Sequence, residues 1–156
     1  LLAWTAHLVA DAHQPCHVGR MGDRGMGRCW VYFHGQRINL HRVWDSILIE
    51  AHHLGCRAYV QRLLQRHRGQ YAKVRPVELR QWLWESYQLR RRVYPVSGAA
   101  YCVYGHDPGS KVALPHLSTA YIHQSQKIID DRLYQAGVRL AQRLTWLLHG
   151  TLHPRF

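Results

Sequence analysis

Two segments of the chain, His7-Leu8-Val9-Ala10-Asp11 and His41-Arg42-Val43-Trp44-Asp45, each set an imidazole and a carboxylate four residues apart. Residues at i and i+4 share one face of an α-helix, about 5–6 Å apart at Cβ, so both members of a pair can reach one metal ion. Between the pairs, just past Pro15, lies His17. Imidazole nitrogens with carboxylate oxygens, and no thiolate, make a donor set that zinc accepts. A single His-x-x-x-Asp pair is commonly a surface hydrogen bond. Two pairs in apolar helices on either side of a Gly-rich loop point to a metal, because buried histidines and aspartates need partners. The candidate metal ligands are therefore His7, Asp11, His17, His41 and Asp45.

Other candidates are weaker. His13 falls two residues past Asp11, around 200° away on a helix, and is read as a non-ligand. His52 and His53 lie one to two turns beyond Asp45 and reach a metal only if the helix bends. His106-Asp107 has no partner at ligand spacing. Arg90-Arg91-Arg92 suits either a phosphate backbone or a solvated helix end, and Glu85 either a hydrogen bond to a ligand histidine or an ion pair. Cys16, Cys29, Cys56 and Cys102 have no C-x-x-C spacing, which speaks against a cysteine zinc site; two disulfides and buried thiols both stay open.

The elements that must position these groups read as mainly helical. Leu1 to about Gln14 forms a helix that Pro15 stops. After a glycine-rich loop, Cys29–Phe33 and Arg37–Ile38 form a hairpin around His34-Gly35-Gln36. Asn39 caps a second helix that continues, broken near Gly55, to Arg66. Pro76 opens a third helix ending before Pro95, and residues 96–116 form a long loop. Ser118 caps the last helix, with an apolar stripe at Ile122, Ile129, Leu133, Ala136, Leu140, Leu144 and Leu147. The expected fold is a mainly α, multi-helix domain with one short β-hairpin.

With 156 residues the chain is one domain's worth, and no stretch approaches the roughly 20 apolar residues of a membrane span. Twenty-one Lys and Arg against nine Asp and Glu give +12, a field that favours polyanions, although an Arg-rich genome would have the same effect. The apolar start lacks a basic n-region and contains His7 and Asp11. It reads as the inside of a helix in a longer protein, not as a signal peptide.

The run His7–Gly19, then Asp23-Arg24-Gly25, then Asn39–Asp45 closely resembles the core of the S1/P1 nuclease family. Trp82-Leu83-Trp84-Glu85-Ser86 and Ala136–Ala141 resemble its downstream segments, in the same order. The resemblance implies a phospholipase C/P1 nuclease-like fold and a single domain over residues 1–156, amino-terminally truncated. It implies three zinc ions in the complete protein, one held by His17, His41 and Asp45. His7 and Asp11 match ligands of a second, and Asp11 also reaches the third; the other ligands belong to amino-terminal residues outside this chain. The implied activity is metal-assisted hydrolysis of single-stranded DNA and RNA to 5′-phosphate products, with 3′-nucleotidase action. The implied protein is secreted or periplasmic, and a monomer is expected.

Two departures stand out. The family loop usually reads Asp-Arg-Gly-Gly-Asn, whereas this chain has Asp23-Arg24-Gly25-Met26-Gly27, which puts substrate contacts from the loop in doubt. Cys16 replaces an aliphatic residue and reads as a small buried apolar side chain. Trp30 and Tyr32 are candidates for a base-stacking wall, with packing of the hairpin the expected use. The alternatives are an inactive basic module that binds zinc or nucleic acid, a purely structural zinc, and a zinc-dependent phospholipase C relative. Asp45 and the 24-residue step from His17 to His41 favour the nuclease, since the phospholipase has Glu at that position and a shorter loop.

Overall fold

A computed structural model describes residues 2–97, 100–105, 107 and 109–150. The first helix, α1 (Leu2–His13), stops where Pro15 begins a 3-10 turn, Pro15–Val18, whose first N–H the Gln14 side chain caps at Cys16. Strands β1 (Trp30–Phe33) and β2 (Gln36–Asn39) pair antiparallel, with Val31 opposite Ile38. Their two-residue turn, His34-Gly35, has positive φ at both positions (48° and 77°), the backbone twist that joins tight hairpins.

Asn39 Oδ1 accepts the Arg42 N–H at 2.8 Å and starts the second helical run. That run comprises α2 (Leu40–Arg42), a π-helical segment (Val43–Ile47) and α3 (Leu48–Glu50). A break at residues 51–55 separates it from α4 (Cys56–Arg66), which starts behind Gly55 as the sequence suggests. Helix α5 spans Leu79–Val93 and so begins three residues later than the Pro76 expected to open it. Val77 is drawn out of the helix into an apolar cluster with Val9, Ala12, Trp82 and Ala136. The supposed loop 96–116 contains a short helix, α6 (Ala100–Val103), because Tyr101 is buried and Cys102 is bonded to Cys29. His106 lies outside the described residues.

The last helix, α7 (Thr119–His149), is capped by Ser118 Oγ and ends at Gly150 in the left-handed conformation. Its apolar stripe is only partly the buried face. Ile129 and Ala136 are buried, but Leu133 and Leu147 are exposed, while Asp130, Arg132 and Arg139 are inside. The reason is polar pairing across helices. Asp130 accepts from Tyr59, Arg62 and Arg66 of α4. Arg132 donates to the carbonyls of His13 and Trp82, to Ser86 Oγ and to Glu85. These bonds fix α1 and α5 against α7, with the main apolar core between the hairpin, α2–α3, α6 and the first half of α7. The architecture is mainly α with one hairpin, as expected.

Candidate metal centre

The five candidate ligands come from α1, the 3-10 turn and the α2–π run, and their side chains form one continuous chain of contacts. His7 Nε2 faces Asp11 Oδ2 at 3.4 Å, and Asp11 Oδ1 faces His17 Nδ1 at 3.3 Å. On its other side His17 Nε2 faces Asp45 Oδ2 at 3.8 Å, and the same oxygen meets His41 Nε2 at 2.8 Å. The His17 and His41 rings stack, 5.5 Å between centroids and 20° apart in plane.

Within this chain His17, His41 and Asp45 form the tighter unit, with one donor atom from each lying within 4.8 Å of the others. Donors around a tetrahedral zinc with bonds near 2.0–2.1 Å are about 3.3 Å apart. The 2.8 and 3.8 Å separations to Asp45 bracket that value and the histidine donors lie within 4.8 Å of each other, so the three residues fit a zinc ion after a modest closing of the group. The three side chains are each about a third exposed (30%, 35% and 32%), so solvent reaches every member of the group. His7 and Asp11 offer two more donors but form no group of three by themselves among the described residues.

Neighbouring groups hold the donors in register. His41 Nδ1 donates to the Gly25 carbonyl at 2.7 Å, which places the proton on Nδ1 and leaves the Nε2 lone pair free for a metal. Gly25 itself sits at φ 60°, where a Cβ would come 3.4 Å from the Cys16 carbonyl oxygen and be strained as well. Gln14 Nε2 donates to Asp45 Oδ1 at 2.8 Å and leaves Oδ2 to the histidines. Asp45 rides on the π-helical segment, a distortion often found at functional sites. Gln14 and the Gly25 carbonyl escaped the sequence reading. A glutamine between two ligand-type residues and a glycine in a turn carry no distinguishing pattern.

The electrostatics are those of a coupled set. The Asp45 carboxylate raises the pKa of His17 against the opposing effect of burial, and Asp11 adds to it. Burial disfavours the charged form of Asp45, but the facing His17 and His41 and the Gln14 amide outweigh it and hold the carboxyl below its ordinary range.

The remaining candidates fall away from this centre. His13 is buried; its Nδ1 donates to the Val9 carbonyl and its Nε2 accepts from Arg139. Burial lowers its pKa to about 4, so it is neutral and committed. His52 faces Asp130, not the metal cluster. Glu85 pairs with Arg132 and Arg139 and touches no candidate ligand. Asp107 caps the Gly109 N–H, Arg91 and Arg92 are exposed, and Arg90 lies over Tyr87. Trp30 carries the Arg37 guanidinium and Tyr32 stacks on His116, both in the body of the hairpin. Asp23 of the glycine-rich loop is a buried anchor that accepts from Tyr94, Arg20 N and Met26 N. Cys29 and Cys102, close to it, are consumed in a disulfide, so no thiolate is offered there; Cys16 is a buried free thiol and Cys56 an exposed one. A groove of about 1020 Å³ runs past Lys73, Arg75, Arg80 and Lys127 and is lined by none of the five. Its size does not make it the chemical site.

A mainly helical body presenting His and Asp donors from two helices and a turn is the kind of scaffold metal-dependent hydrolases use. Residues 1–149 match the S1/P1 Nuclease family, and the chain belongs to it. Among curated proteins of Arabidopsis thaliana, it is 30% identical to Endonuclease 4 over 92% of this chain and 48% of that protein. It is 29% identical to Endonuclease 3 over 92% of this chain and 49% of that protein. A 49-residue stretch is 39% identical to Endonuclease 2, covering 31% of this chain and 17% of that protein. The chain thus spans about half the length of the curated relatives it matches over most of its residues.

Proposed function

We propose that this chain is the zinc-binding carboxy-terminal part of a single-domain nuclease that hydrolyses single-stranded DNA and RNA to 5′-phosphate products and also acts as a 3′-nucleotidase. The observation that carries this reading is the convergence of His17, His41 and Asp45, with His41 held in its metal-binding tautomer by the Gly25 carbonyl. The endonuclease names of the relatives and the +12 charge support a polyanionic substrate.

His17, His41 and Asp45 would hold one zinc, and His7 with Asp11 would contribute to further ions completed by other residues of the protein. When bound, zinc in such a site supplies an acidified water and positive charge at the phosphoryl oxygens. Gln14 fixes the Asp45 carboxylate so that one oxygen stays directed at the histidines. Asp11, facing Nδ1 of His17, favours a proton there and leaves Nε2 as the donor atom. The partial exposure of all three side chains admits a phosphodiester backbone, and an unpaired strand can bend to it where a duplex cannot. No helix of the described residues is long and apolar enough to cross a membrane. The Cys29–Cys102 disulfide supports an oxidising, secreted or periplasmic setting. A monomer is part of the proposal.

The test is His41→Ala in the full-length protein, read by zinc content, melting temperature and hydrolysis. The variant should lose one zinc per chain, melt lower and cleave a single-stranded oligonucleotide far more slowly. Unchanged zinc content and melting temperature rule the assignment out. A salt-sensitive preference of the wild type for single-stranded DNA over phosphatidylcholine separates the nuclease from a phospholipase.

A further inference from the structure

Helix α5 carries an exposed aromatic ladder beside the turn that bears His17. Trp84 and Tyr87, one helical turn apart, stack with ring centroids 5.3 Å apart and planes 13° apart. The guanidinium of Arg90, one turn further, lies 4.1 Å over the Tyr87 ring and donates to its hydroxyl at 3.0 Å. Both aromatic residues are open to solvent, Trp84 at 52% and Tyr87 at 41%. Next to them an apolar cleft of about 450 Å³ is walled by Leu83 and by Val18, the residue that follows His17 in the chain. On the opposite, buried face of α5 the side chain of Ser86 donates to the Ala12 carbonyl at 2.7 Å, which ties the helix to the end of α1.

Exposed stacked aromatics are costly to leave in water, and a flat π-surface next to cations is how proteins grip unpaired bases without reading their sequence. No carboxylate lines the cleft, while Arg80 is part of its wall and Arg90, Arg91 and Arg92 follow at the helix end. We infer that Trp84 and Tyr87 form a base-stacking subsite for a single-stranded nucleic acid whose backbone continues past Val18 to the His17, His41 and Asp45 cluster. Its substrate class rests on the function proposed above. Trp84 offers the open ring face. Tyr87 is held between Trp84 and Arg90, so stacking costs little side-chain entropy. The arginines take the phosphates on either side of the stacked base. The platform accepts any base, because every base has a π-face.

The experiment measures binding of a hydrolysis-resistant, fluorescein-labelled phosphorothioate oligothymidylate, and of an abasic strand of the same length and linkage, to the zinc-loaded full-length protein, by anisotropy. Hydrolysis is followed separately with an unmodified strand. Trp84→Ala should weaken oligothymidylate binding by about tenfold or more, leave abasic binding unchanged, and be largely rescued by Trp84→Phe. Tyr87→Ala should act in the same direction. Equal oligothymidylate affinity in wild type and both alanine variants overturns the subsite, and if the wild type still cleaves DNA the nuclease reading survives without it. Base-dependent binding that Trp84→Ala abolishes, in a wild type that cleaves nothing, upholds the subsite and removes the nuclease reading. A change of oligomeric state in Trp84→Ala with unaltered oligonucleotide affinity assigns the face to a second copy and overturns the subsite.

Discussion

Replacing Glu85 with alanine should destabilise the protein by about 3 kcal/mol. Glu85 is the only carboxylate bonded to Arg132 and Arg139 among the described residues. It accepts from Arg132 Nη1 at 2.8 Å and from Arg139 Nη1 and Nη2 at 2.6 and 2.8 Å. Both arginine side chains are 5% exposed, whereas Glu85 is 28% exposed. Burial works against ionisation of Glu85, yet the two guanidiniums outweigh it and hold the carboxyl below its ordinary range. Removing one partner of a buried charged set costs about 3–5 kcal/mol, because the charge left behind has lost both water and its counter-ion. The partial exposure of Glu85 lets some water reach the vacated space, which places the effect at the lower end. For a chain of this length that corresponds to a fall in melting temperature of roughly 6–12 °C. Urea unfolding of wild type and variant at neutral pH and fixed zinc is the assay. A loss below about 1 kcal/mol, the worth of an exposed ion pair, would refute the argument that this set is a buried structural unit. The same arginines bond the His13 carbonyl, Ser86 and His13 Nε2, so zinc affinity should fall with stability as α1 loosens.

Acid should weaken the fold through His13, whose pKa burial lowers from 6.5 to about 4. The unfolded chain then binds the proton more readily than the folded one, so this stabilisation is complete above pH 6.5 and is lost as pH falls toward 4, by on the order of 3 kcal/mol. Metal-free protein unfolded in urea across that range should show the slope, and His13→Leu should flatten it; an unchanged slope in the variant contradicts the reading. The Cys29–Cys102 bond joins residues 73 apart, which in the chain-entropy view contributes about 4 kcal/mol. The double variant Cys29→Ala, Cys102→Ala should therefore unfold at clearly lower urea, and an unmoved midpoint would show that the bond adds little.

What was legible in the sequence is what local geometry controls. Helical spacing alone sets His7 against Asp11, since i and i+4 meet on any α-helix, and it also brings His41 to Asp45, although Asp45 rides on the π-helical segment. Asn39 and Ser118 announce their helices because a cap bonds to an N–H only three residues ahead. His13 could be set aside from its angle around α1 alone. Periodicity failed on α7, where Asp130, Arg132 and Arg139 are inside and Leu133 and Leu147 outside. A stripe analysis ranks residues by transfer from water and cannot see that α4 and α5 bring a partner for each buried charge. Composition likewise missed α6, which one disulfide and one buried tyrosine hold in place.

By itself, then, the sequence determined which residues can act as donors, on which helices they ride and which pairs share a face. Tertiary structure decided the rest. It carried His17 from the end of α1 to the π-helical segment, so that three donors converge, and laid the Gly25 carbonyl against His41 and the Gln14 amide against Asp45. It set the Trp84–Tyr87 ladder beside Val18. Each of these contacts joins residues far apart along the chain, and a short stretch of backbone fixes neither their distance nor their direction.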